Sequence, residues 1–119
     1  VWTADGGRAW ANWTYEGTDW RGRCEGDAGA RTYRAGDPPH WPLFNAREGL
    51  QVGQPVEAWY LDGCRIRSLE AVYEGARDGR HFASAEGFRT SWDDRTGLVL
   101  AWEHGVSFGR LSGTDAPLR

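Results

Sequence analysis

The chain has 119 residues, a length that fits one domain around one hydrophobic core. Its net charge of −3 argues against whole-molecule attraction to DNA, RNA or an anionic membrane, and no run approaches the roughly 18 apolar residues of a membrane-spanning helix. Eight Trp and 17 Gly favour a small β-structure with tight turns over a helical bundle. All 14 Lys/Arg positions are Arg, which reads as the codon usage of a high-GC bacterial genome more than as selection for the planar guanidinium.

Turn residues punctuate the chain. Asp5-Gly6-Gly7, Glu16-Gly17-Thr18-Asp19, Gly26-Asp27-Ala28-Gly29, Gly36-Asp37-Pro38-Pro39 and Glu48-Gly49 are followed by Asp62-Gly63, Arg77-Asp78-Gly79, Glu86-Gly87, Asp93 to Gly97 and Glu103-His104-Gly105. Most gaps are about 8–12 residues, the spacing of short antiparallel strands in a sandwich or barrel. Gly and Asp suit the corners because they tolerate positive φ. The expected fold class is therefore all-β: a small antiparallel barrel or sandwich, SH3-like or calycin-like, with six to eight short strands in one domain over residues 1–119.

In chain order, Ala9, Ala11, Trp13 and Tyr15 share one face of a first strand. "DWRGRC" (19–24) places Arg21 and Arg23 on the face away from Cys24. Residues 35–49 hold three of the five prolines and read as an irregular crossover at one end of the barrel, with a short helix at 43–48. Val56, Ala58 and Tyr60 form one face of a middle strand, and Glu57, Trp59 and Leu61 the other. Residues 66–74 fit a helical turn or a strand, and their β-branched and aromatic neighbours favour the strand. Leu98, Leu100 and Trp102 alternate with Val99, Ala101 and Glu103, as in a central strand covered on both sides. Val106 and Phe108 open the last strand, and residues 112–119 form a flexible tail.

Catalytic signals are few. His40, His81 and His104 lack metal-ligand spacing, Asp93-Asp94 before Arg-Thr-Gly reads as turn chemistry, and no nucleophile-elbow, P-loop or dinucleotide motif occurs. The expectation is a non-catalytic protein without cofactor or metal. Cys24 and Cys64 match no metal or redox spacing. They fit one disulfide in a secreted protein or two free thiols in a cytoplasmic one, so the compartment stays open.

Two constellations point to binding. "CRIR" (64–67) nearly mirrors "DWRGRC". If Cys24 faces Cys64 across paired strands, Arg23 faces Arg65 and Arg21 faces Arg67, and either Glu25, Asp27 and Glu70 or a bound anion relieves the repulsion; otherwise the strands do not pair. The second is aromatic. Burying each indole contributes about 2–3 kcal/mol, yet a core of this size absorbs roughly half of them. The rest are free to stack on a ligand or cage a methylated ammonium. A protein or peptide is the expected partner, ahead of a small apolar ligand and of nucleic acid.

Residues 52–75, "VGQPVEAWYLDGCRIRSLEAVYEG", carry Gly53, Val56, Glu57, Trp59, Tyr60, Ala71 and Val72 in an order that resembles the first half of a Tudor or agenet module. The resemblance implies an SH3-like barrel that binds methylated peptide side chains in an aromatic cage. The cage falls near Trp59 or Tyr60, Tyr73 and Phe82, with Glu74 as an acidic wall; Trp92 completes the set of candidate ligand-binding residues. The chain departs from the pattern in lacking the aromatic-acidic-Gly-Asn ending of many Tudor domains, and residues 1–50 then form an extension or a second barrel. Alternatively, Gly17-Thr18-Asp19-Trp20-Arg21-Gly22 and "LVLAWEHG" (98–105) resemble the calycin or avidin type of ligand barrel. There the indoles line an interior cavity for an apolar molecule.

Overall fold

The computed structural model of the chain describes residues 11–15, 17–19, 45–62, 65–115 and 117–118. They form eight antiparallel strands: β1 (Ala11–Tyr15), β2 (Thr18–Asp19), β3 (Pro55–Asp62), β4 (Arg65–Arg77), β5 (Arg80–Ala85), β6 (Phe88–Asp93), β7 (Val99–His104) and β8 (Ser107–Thr114). Their order in the sheet is β2-β1-β8-β7-β6-β5-β4-β3. From β3 to β8 each strand pairs with its successor. The β1–β2 hairpin then docks on β8, which leaves β2 and β3 as the edges of the sheet among the described residues, and the sheet curls into a half-barrel. Among the described residues none is helical, and no helix is long and apolar enough to cross a membrane.

Turn chemistry sets the register. Asp78 (φ 53°) and Gly79 (φ 74°) are both left-handed, the requirement of a two-residue type I′ hairpin whose twist matches its strands. Arg77 therefore faces Arg80, and Ala76 faces His81. The β6–β7 connection is held by Asp93, whose Oδ2 accepts from the Thr96 amide (2.8 Å), the Thr96 hydroxyl (2.8 Å) and the Arg95 amide (3.1 Å). Turn chemistry is thus the role of Asp93.

The inner face is aromatic. One row crosses from β1 to β4 as Tyr15, Gly109, Trp102, Thr90, Ala83 and Tyr73. Gly109 has a steric reason: a Cβ there would lie 2.0 Å from the Trp102 ring, which lies across the strand where a side chain would stand. Trp13, Trp92 and Trp102 are all fully buried, and Val56, Ala58, Tyr60, Ala71 and Phe88 join them.

Several local readings change. Residues 45–50 are irregular rather than helical, and they lie against the β6–β7 turn: the Asn45 amide donates to Gly97 O (2.9 Å), and Trp92 Nε1 donates to Ala46 O (2.7 Å). Leu61, expected on the face opposite Val56, Ala58 and Tyr60, is 1% exposed and belongs to the core cluster. In β7, Trp92 faces Val99 while Ser91 faces Ala101. Leu100 is therefore a bulge, and Val99 rather than Leu100 shares the inner side with Trp102. Val106 is fully exposed in the β7–β8 turn and does not open β8. Residues 112–114 are paired strand instead of tail: Ser112 is the bulge between the pairs Asn12–Gly113 and Trp13–Leu111, and its hydroxyl donates to Asn12 O (3.2 Å).

Candidate functional site

A groove of about 510 Å³ opens on the outer face of β4–β7. Its floor is one row across four strands, Gly75, Phe82, Ser91 and Ala101, each directly opposite the next. Three of the four are small, so the sheet surface dips there between longer side chains. Arg77 borders the groove on one side and Glu74, Arg89 and Glu103 on the other.

A bulge in β4 makes this arrangement. Tyr73 pairs with Ala83 and Gly75 with Phe82, leaving Glu74 unopposed. Gly75 adopts φ 109°, a conformation costly for any side-chain-bearing residue. The extra residue flips the parity of the strand: Tyr73 turns inward, while Gly75 and Arg77 turn outward. The Arg77 guanidinium lies 4.4 Å from the centre of the half-buried Phe82 ring, a cation–π stack that holds both side chains along the groove.

Behind the groove, on the inner face, runs a buried polar chain. The Tyr73 hydroxyl is 2.6 Å from His81 Nδ1, and His81 Nε2 is 2.7 Å from Asp94 Oδ1. With a neutral ring, Tyr73 donates to Nδ1 and Nε2–H donates to the carboxylate. Burial first, and then the negative charge of Asp94, raise the Tyr73 pKa above its ordinary value of 10.0. His81 also stacks on Trp92 with ring centres 5.4 Å apart. The order hydroxyl–imidazole–carboxylate is that of a proton relay, but Tyr73 is only 5% exposed and is not among the groove's lining residues. Its evident work is to tie β4, β5 and the β6–β7 turn together.

The candidate residues divide between the two faces. Tyr60, Tyr73 and Trp92 are buried inside; Tyr60 packs on Phe88 and His104, 5.6 and 4.7 Å between ring centres. Phe82 and Glu74 meet at the outer groove. Trp59 is half-buried on the outer side of β3. No single cage gathers Trp59 or Tyr60, Tyr73 and Phe82, because the β4 bulge sends Tyr73 and Phe82 to opposite sides. Arg67 donates to Asp62 (2.9 Å) at the start of the β3–β4 hairpin. Arg21, Arg23, Cys24 and Cys64 lie outside the described residues, as does the Arg65 side chain. Among the described residues no three His, Cys, Asp or Glu side chains gather as metal ligands.

Sequence reasoning missed Arg77, Arg89, Ser91, Ala101 and Glu103 as groove residues, and His81 with Asp94 as partners of Tyr73. One signal was available for the first set. Phe82, Ser84 and Arg80 alternate with His81 and Ala83, which marks a strand with one face open to solvent. No family model matches the chain, and no curated protein or solved structure matches it significantly.

Proposed function

We propose that the domain is a non-catalytic recognition module that holds a protein or peptide partner in the outer groove of β4–β7. The observation that carries this reading is the groove itself: a depression of about 510 Å³ floored by small residues and Phe82, with arginines and glutamates at its borders. Interfaces favour this composition, an aromatic anchor and Arg in the middle with charges at the rim. Affinity capture from host lysate tests it, using the wild-type chain, Phe82→Ala, and Val106→Ser in the β7–β8 turn as a control. The reading predicts a partner retained by wild type and Val106→Ser and lost with Phe82→Ala. Equal capture by all three contradicts it.

A second reading has its own observation. Trp102 Nε1 and the side-chain Nδ2 and Oδ1 of Asn45 are buried and have no hydrogen-bond partner among the described residues. Buried polar atoms rarely stay unpaired, and a small ligand inside the half-barrel would supply partners, as the calycin resemblance implies. An apolar dye that quenches the buried indoles, yet leaves partner capture intact, favours that interior site.

A further inference from the structure

We propose that the outer groove takes an extended peptide segment bearing one acidic and one basic side chain about six residues apart. This ligand class rests on the recognition function above.

Three features converge on it. The first is unmade pairing. Arg89 and Glu103 stand directly opposite each other on β6 and β7, an arrangement that favours a cross-strand ion pair. Yet among the described residues no ion pair or hydrogen bond joins them, and none engages Glu74 or Arg77. The charges at the borders are left for solvent or a ligand. Second, Ser91 in the floor is 7% exposed, and its hydroxyl has no hydrogen-bond partner among the described residues. A nearly buried donor that lines the groove fits the backbone carbonyl of a chain laid along it. Third, the guanidinium carbon of Arg77 lies over the Phe82 ring. That position holds the guanidinium beside the floor, where its N–H donors can take a carboxylate.

Charge balance narrows the ligand. Two arginines and two glutamates give a neutral lining, which disfavours a phosphate dianion or a uniformly basic tail. It favours a ligand that is itself neutral overall but carries both signs. Geometry fixes the spacing. From β4 to β7 the groove spans three interstrand distances, about 14 Å. Arg77 and Glu103 also stand on opposite sides of the floor row, offset along the strands by the equivalent of roughly four residues, about 13 Å. An extended chain covers the resulting diagonal of about 19 Å between residues i and i+6. An acidic side chain near Arg77 thus places a basic one near Glu103.

The test is amide NMR titration of the full chain with acetyl-Gly-Asp-Ala-Ala-Ser-Ala-Ala-Arg-Gly-amide. The analogues with Asp at both charged positions or Arg at both, and inorganic phosphate, are titrated alongside. The mixed peptide should bind about fivefold tighter than either uniform analogue, the range of one or two solvent-exposed ion pairs. Its shifts should centre on Gly75, Ser91 and Ala101. Arg77→Glu, with an unchanged spectrum elsewhere, should reverse the order so that the analogue with two Arg binds best. Equal binding of all three peptides, displacement by phosphate, or shifts centred elsewhere would overturn the proposal. If lysate capture still depends on Phe82 while the peptide ranking fails, only the ligand class falls. If capture is indifferent to Phe82, the groove's function falls first.

Discussion

The inner face of β4–β7 carries Tyr73, His81, Trp92 and Trp102, none more than 5% exposed. The outer face of the same strands carries Glu74, Arg77, Phe82 and Arg89, all partly or largely open to solvent. Inside, polar atoms are mostly matched: Tyr73 to His81, His81 to Asp94, Trp92 Nε1 to Ala46 O, and Trp13 Nε1 to Val99 O at 2.9 Å. Outside, the charged groups around the groove stay unmatched. The contrast teaches where each face spends its interactions. Unpaired groups inside cost stability, whereas unpaired groups outside are solvated and stay available to a partner.

Substitutions on the two faces should therefore separate stability from binding. The largest stability effect is expected for Gly109→Ala. The new Cβ meets the sealed Trp102 ring, and overpacking of this kind costs about 3 kcal/mol, read as a lower urea midpoint at unchanged slope. Tyr73→Phe comes next. It leaves His81 Nδ1 without its donor and should cost about 1–2 kcal/mol, with partner capture unchanged.

The same residue makes a pH prediction. The folded Tyr73 pKa is raised, so the folded state holds the phenolic proton after the unfolded state has lost it. Its contribution is full below pH 10 and declines as pH rises past the unfolded value of about 10. Urea titrations from pH 8 to 11 should show wild type losing stability more steeply than Tyr73→Phe at the alkaline end. Parallel curves would contradict the assigned burial.

Effects outside should be smaller for folding and larger for binding. Phe82→Ala removes a half-buried ring and its Arg77 stack, about 1 kcal/mol of stability, while abolishing capture. Arg67→Ala, which breaks an exposed pair with Asp62, should cost about 0.5 kcal/mol or less and leave capture intact.

How much of this was legible in the sequence follows from what alternation can and cannot encode. Ala11, Trp13 and Tyr15 shared a face as expected, as did Val56, Ala58 and Tyr60, because those runs are regular and one side is buried. Asp78-Gly79 announced its hairpin through residues that accept positive φ. The all-β architecture followed from the same two signals. Parity failed wherever a bulge intervened. Glu74 sends Tyr73 in and Gly75 out, and Leu100 exchanges its place with Val99. A bulge adds one residue without any composition of its own, so period-two reading continues straight through it. The candidate cage was lost for that reason. The groove was hidden for another: its floor joins Gly75, Phe82, Ser91 and Ala101 from four strands, and their adjacency is a fact of register. The pairing of His81 with Asp94 likewise joins β5 to the β6–β7 turn. Leu61 shows a third limit, since alternation assigns a side chain to a face but does not say whether that face is buried at that point.

The most direct test of the central claim, that the partner lies in the outer groove, is to fill it without touching the core. Ala101→Trp places an indole over the floor between Ser91 and Arg110, where the backbone is ordinary strand. Partner capture should fall at least tenfold relative to wild type, while Tyr73→Phe, altered only inside, retains it. Full capture by Ala101→Trp, with its fold verified by circular dichroism, would place the binding surface elsewhere.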